Sequence, residues 1–425
     1  PENTYAVSSL DDTGLAGTVT DSQPLNHLIN HIKPFFEQEK QREEAANQAF
    51  MANIYPNIDQ LIESGRIALP DEDETMYLAL SDLHGNYDMI ESWRYFVQQL
   101  NQRSGRSVIS FVTLNGDQTY GEVTAKQAVD LEGKLADGKP VLAIMGNHDS
   151  PLTRKQMEAA GITVLGGQPV TIAGLEVLGD DDPVITKLSA LFNLGDNLPR
   201  DGSQPPAEAD WQRRLEVAAG QTLAETADKT DPTTVMSHEG YELAPMFGMD
   251  IDQVSAKYYD QWFAAGGDDS GSSPDDVNNL PAAAYQIGHW HKGSVKTKRY
   301  RVLNNDNGTW STVIELGSGG GALGSMNLTH FSTPWTPPAK LASGALITIN
   351  NDSGLVTRLQ FPYATPDGEF STSASRHIGS PDGQPYPSGV VAEARPKAKV
   401  TKKDGRTTVS LRGMDASGHK DGQRN

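Results

Sequence analysis

Short apolar runs, each closed by a polar cluster, recur through the middle of the chain. Residues 75–80 (TMYLAL) run into Ser-Asp-Leu-His-Gly-Asn, 107–114 into Asn-Gly-Asp, and 140–145 into Gly-Asn-His-Asp. Amphipathic stretches at about 87–102 and 123–135 lie between them. Strands of fully buried type alternating with helices predict βαβ units around a largely parallel sheet, hence an α/β fold. Two later runs, 233–236 and 282–287, also stop at a histidine. In such sheets ligands sit beyond the carboxyl ends of the strands, where all five clusters fall.

The flanks read differently. Residues 1–23 are polar and resemble an arm, and a charged stretch at about 34–50 predicts a helix with Pro34 in its first turn. His27 and His31, four apart, read as part of a solvated helix face. Two insertions are expected, a mostly helical one at about 180–230 and another at 240–282 that holds a loop rich in Gly, Asp and Ser. Residues 345–349 and 355–361 around Asn-Asn-Asp-Ser-Gly suggest a closing antiparallel pair. Three units follow: an arm and helical extension at 1–69, a catalytic domain at 70–363, and a loosely ordered, locally basic tail at 364–425 with a hairpin at 400–411. No repeat of constant period is present.

Composition narrows the function. With 425 residues, 37% hydrophobic and 21% charged, the chain can bury a sizeable core. A net charge of -20 disfavours nucleic acid as a partner, yet bound dications would reverse the potential locally and admit a phosphate substrate. The absence of cysteine removes disulfides, thiolate zinc sites and cysteine nucleophiles. No apolar run is long enough to span a bilayer. The chain begins at Pro1 without a leader, and its flanks are rich in Ser, Thr and Gly. The expectation is a trimmed, extracytoplasmic protein, anchored or secreted, whose signal or anchor lay upstream.

The polar clusters carry the chemistry. They are Asp82-Leu-His84, Gly116-Asp117, Gly146-Asn147-His148-Asp149, Ser237-His238-Glu239 and Gly288-His289-Trp-His291. Five of the ten histidines fall in them, a concentration that random placement would rarely give. Two divalent ions about 3.5–4 Å apart need a bridging carboxylate and further imidazole or oxygen ligands. Nitrogen and oxygen donors without sulfur suit Mn, Fe, Zn or Co, with Mn favoured here. Asp82 with His84, and His289 with His291, would each point the same way from an extended segment. Asp180-Asp-Asp182-Pro183 reads as a solvated acidic turn, with a place at the site's rim as the alternative. Gly317-Ser-Gly-Gly-Gly321 lacks the lysine of a phosphate cradle and reads as a turn near the rim.

In the order D-x-H, G-D, G-N-H-D, H, G-H-x-H, these blocks resemble the signature of the calcineurin-like metallophosphoesterases, over residues 82 to 291. The resemblance implies a four-layer α/β/β/α sandwich of two mixed sheets with flanking helices. It makes Asp82, His84 and His291 ligands of one metal, Asp117 the bridge, and Asn147, His238 and His289 ligands of the other. A metal-bridging hydroxide would attack phosphorus while His148 protonates the leaving oxygen. Asp149 would orient that imidazole or serve as a strand-end structural carboxylate. The substrate would be a small phosphomonoester, phosphodiester or nucleotide. A catalytically silent metal-binding scaffold on the same fold is the alternative, disfavoured by the filled ligand set. Gly116-Asp117 continues into Gln-Thr-Tyr rather than an arginine-bearing block, and the third block ends in Asp149 rather than Glu. Both departures argue against the protein Ser/Thr phosphatase branch. Gly179-Asp-Asp-Asp-Pro183 resembles a stretch in some membrane-anchored, extracytoplasmic members.

Overall fold

A computed structural model describes residues 5–6, 19–20, 23–31, 33–119, 123–124, 126–187, 196–249, 252, 254–265, 280–293, 295, 299–305, 309–322, 337–378, 398–403 and 406–411. Two sheets lie face to face. The first has seven strands in the order Arg376–His377, Val356–Gln360, Ala345–Asn350, Glu74–Leu80, Ile109–Asn115, Val141–Ile144 and Thr163–Val164. The last four run parallel and the first three are joined antiparallel. The second has six strands, Tyr300–Asn304, Trp310–Glu315, Ala284–Ile287, Thr234–Ser237, Leu175–Gly179 and Val170–Ile172, parallel in its centre and antiparallel at both edges.

Side-chain alternation along each strand makes the layers. Met76, Leu78 and Leu80 face a helical layer with Trp93, Phe96 and Val129. Tyr77 and Ala79 point the other way, into a core shared with Met236, Ala284 and Ile314 of the second sheet. Val235, Tyr285 and Val313 then face the helices that carry Leu223, Leu243 and Tyr259. The result is the four-layer α/β/β/α sandwich implied by the motif order. A buried polar chain ties the two sheets: Thr113 Oγ1 donates to Gln286 Oε1 (3.0 Å), and Gln286 Nε2 donates to the Tyr77 hydroxyl (3.0 Å).

The helix expected at 34–50 is longer, Lys33–Glu63, with Pro56 inside it. Phe50, Ile54, Ile58 and Leu61 form one buried stripe, each gaining about 1.5–3 kcal/mol on burial. Asn53 and Asn57 donate to the carbonyls of Asp367 and Gly368 (3.0 and 2.8 Å). Strands Phe370–Thr372 and Arg376–His377 lie beyond residue 363, so packing continues across both expected boundaries. Ala398–Lys403 and Arg406–Leu411 pair as a hairpin. Among the described residues no helix is long and apolar enough to cross a membrane.

Candidate metal centre

The carboxyl ends of five parallel strands, at Leu80, Asn115, Ile144, Ser237 and Ile287, open onto one point between the sheets. Two of the loops there zip together, Asp82 N–H to the Gly116 carbonyl (2.9 Å) and His84 N–H to that of Asp117 (3.0 Å). Ligand atoms of Asp82, His84 and His291 lie within 4.8 Å of one another, as do those of Asp117, His238 and His289. The Asn147 amide oxygen joins the second group, 3.1 Å from His238 Nε2 and 3.2 Å from His289 Nδ1. All seven residues expected as ligands therefore converge.

They are not aimed by strand alternation, as the sequence suggested. The strand stops at Leu80, and Asp82, His84, Asp117, His289 and His291 all take left-handed backbone, with φ of 53°, 48°, 55°, 66° and 56°. Each such residue costs about 1–2 kcal/mol without glycine's freedom. Strain of this kind concentrates where side chains must be aimed, and here it turns each donor inward.

Asp117 lies between the two groups. Its Oδ2 is 3.3 Å from His238 Nε2 and 3.9 Å from His84 Nε2, and its Oδ1 accepts His148 N–H at 2.8 Å. Two glycines make this approach possible. A Cβ on Gly116 would stand 2.3 Å from His238 Nδ1, and one on Gly146 would stand 2.3 Å from Asp117 Oδ1.

Hydrogen bonds to the far ring nitrogens set the histidine tautomers. His84 Nδ1–H donates to the Thr119 carbonyl (3.2 Å) and His238 Nδ1–H to that of Asn115 (2.8 Å), so both Nε2 atoms face the centre. The His289 ring is reversed: Nδ1 faces Asn147, while Nε2 lies 3.1 Å from Glu239 Oε2. His291 Nε2 sits 3.0 Å from Asp82 Oδ1 and 3.3 Å from His84 Nε2.

The titrating groups mark a point that draws positive charge. Burial pushes the His84 pKa down to about 3 and that of His289 down to about 4, against the pull of neighbouring carboxylates. Burial works to raise Asp82, but His291 beside it holds the carboxyl at about 2. Asp117 is likewise held well below its ordinary value, by His238 and His148 against burial. Burial opposes charge on His238, yet the Asp117 carboxylate lifts its pKa well above the ordinary value. This centre demands positive charge, and its imidazole, amide and carboxylate donors fit divalent cations.

His148 is half-buried, with its ring centroid 5.6 Å from that of His84 in an edge-on arrangement. Asp149 is fully buried. Its Oδ1 accepts Thr119 N–H and the Thr119 hydroxyl (both 2.9 Å), and its Oδ2 accepts the N–H groups of Gly146 (2.9 Å) and Gln118 (3.2 Å). Burial, then the charge of Asp117, raises its pKa to about 6. Four donors thus make it the tie between the two loops that carry Asp117 and Asn147.

Other supporting residues were not singled out in the sequence. Thr186 Oγ1 accepts from the Asn147 amide nitrogen (2.8 Å), which turns the amide oxygen inward. Arg200 donates to the carbonyls of Gly146 (2.6 Å) and Asp149 (2.9 Å), and also to that of Asp182. The acidic turn is not solvated. Asp182 is buried and accepts Val184 N–H (2.8 Å), and Asp181 accepts Met145 N–H (3.0 Å) and pairs with Arg154 (2.6 Å). The glycine-rich turn braces the site instead of cradling phosphate. Gly319 N–H donates to the Ser81 carbonyl (2.7 Å), and the Ser318 hydroxyl donates to that of Asp82 (2.7 Å).

The family model described as calcineurin-like phosphoesterase matches residues 76–306, just over half of the chain. Comparison with curated proteins finds no match. Among solved structures, similarity is found to the NAD nucleotidase of Haemophilus influenzae, at 11% identity and a TM-score of 0.34, covering 71% of this chain and 55% of that one. The chain thus spans about half the length of that protein. The phosphopantetheinyl hydrolase of Mycobacterium tuberculosis is also similar, at 14% identity and a TM-score of 0.30, covering 59% of this chain and 92% of that one. From its sequence blocks, its sandwich and the family match together, the chain belongs to the calcineurin-like phosphoesterases.

Proposed function

We propose that the protein is a dinuclear metal-dependent hydrolase of small phosphoesters: monoesters, diesters or nucleotides. The observation that carries this reading is Asp117 Oδ2, one carboxylate oxygen shared between the two donor groups. Asp82, His84 and His291 would hold one ion, Asn147, His238 and His289 the other, and Asp117 would bridge them. Mn²⁺ is the ion expected here, with Fe, Zn or Co as substitutes. When bound, such a pair generates a nucleophile from water near neutral pH and offsets charge on the phosphoryl oxygens.

The chain's own residues supply the rest. His148, anchored through its N–H to Asp117 and half open to solvent, would give a proton to the leaving oxygen, a step worth about 10²–10⁴-fold. Asp149 acts as a positioning residue that fixes the two loops. Residues 70–363 would form the catalytic unit, with the helix Lys33–Glu63 as its buttress.

The test is hydrolysis of p-nitrophenyl phosphate and its bis-ester with added Mn²⁺. Asp117→Asn should lose both metal and activity. His148→Ala should keep its metal yet slow by about 10²-fold or more. A wild-type protein that binds no metal would refute the reading.

A further inference from the structure

Three of the four candidate histidine ligands turn Nε2 toward the centre. His289 turns Nδ1 inward and places Nε2 on Glu239. The far nitrogens of His84 and His238 meet backbone carbonyls, and that of His291 has no hydrogen-bond partner among the described residues. His289 instead meets a carboxylate, which is only 3% exposed. That carboxylate is itself pinned, because Glu239 Oε1 accepts Gly240 N–H at 3.0 Å. The Ser237 hydroxyl holds the Glu239 carbonyl at 2.8 Å.

Folding gains little from such a carboxylate. Glu216, Asp182 and Glu242 are its charge neighbours, and crowding buried carboxyls is unfavourable. We infer that Glu239 is a positioning residue: it takes the Nε2–H of His289, fixes the reversed ring and presents Nδ1 as the metal donor beside Asn147. A hydrogen-bonded carboxylate also makes the imidazole a stronger donor. The sequence context is Ser237-His238-Glu239, so one strand end supplies a ligand and the partner of another ligand.

This inference rests on the reading of the site as a dinuclear centre, and the experiment separates the two. Mn²⁺ binding by the full chain is titrated, with metal content measured by elemental analysis. Glu239→Ala should weaken one of two ions by about 10–100-fold and leave the other unchanged. Glu239→Gln keeps an oxygen for Nε2–H and should recover most of the loss. In the zinc-loaded wild type, ¹⁵N shifts should show Nδ1 of His289 on the metal and Nε2 protonated, a readout that needs no variant to fold. Wild-type affinity for both ions in Glu239→Ala, no recovery in Glu239→Gln, or Nε2 on the metal would each overturn the role of Glu239. A wild type that binds no Mn²⁺ would instead overturn the metal-centre reading itself.

Discussion

At the scale of single residues, the centre is a set of donors held in costly backbone. Five of its seven candidate ligands occupy the left-handed region, although none is glycine. The neighbouring hydrogen bonds, such as Asp82 N–H to the Gly116 carbonyl, hold that geometry. Gly146 shows how little space is left: an added Cβ would also come 2.8 Å from His238 Nε2. Gly146→Ala must therefore displace the shared carboxylate. The expected outcome is a loss of about 10²-fold in kcat, since a shift near 1 Å costs that much. Overpacking should add about 1–3 kcal/mol of destabilisation. Steady-state kinetics and urea unfolding of the same preparation would check both, and an unchanged kcat would refute the close approach. The candidate donors could be picked out in the sequence because residue type sets ligand chemistry. The turned backbone was not, since nothing in Asp-Leu-His specifies a left-handed conformation.

At the scale of elements, the first insertion is part of the site's frame. Arg200 and Thr186 reach the Gly146–Asp149 loop from residues far along the chain. Arg200→Ala would leave several carbonyls without a charged donor, at about 1.5–3 kcal/mol per strong hydrogen bond. Its kcat/KM is expected to drop about 10-fold or more while His148 remains in place. Arg200→Lys should recover little, because an ammonium lacks the planar fork that spans separate carbonyls. Wild-type kinetics in Arg200→Ala would show that the loop holds itself. The strands and their order of polar clusters were readable from periodicity. The helix Lys33–Glu63 was underestimated because its charged first half hides the apolar stripe Phe50, Ile54, Ile58 and Leu61. Asp181 looked solvated because its partners, Met145 and Arg154, meet it only after folding.

At the scale of the whole molecule, the sandwich buries charge that it must keep neutral. Glu132 is fully buried at the end of the helix Lys126–Glu132, and neither carboxylate oxygen has a partner among the described residues. Burial first, and the nearby Asp149 second, raise its pKa well above the ordinary 4.5. The unfolded chain releases this proton near pH 4.5, and the folded protein only at higher pH. Its contribution to stability is therefore complete below that value and is lost as pH rises toward the folded pKa. Glu132→Gln should flatten the fall in stability above pH 4.5 and be the more stable protein at pH 8, as read from urea midpoints across the range. A parallel pH profile in the two proteins would contradict this.

What the sequence determined by itself was the kind of chemistry and the class of fold. Apolar runs with strand-like spacing dictate where strands can form, and donor types dictate which ligands suit imidazole, amide and carboxylate. Only tertiary structure decided how those donors are aimed and what stands behind them. The reversed ring of His289 on Glu239, the amide of Asn147 turned by Thr186, and the loop carbonyls held by Arg200 are contacts between side chains or loops from separate elements. Local propensity does not encode such pairs. They exist because two sheets, packed through Tyr77, Met236 and Ile314, bring distant strand ends to one place.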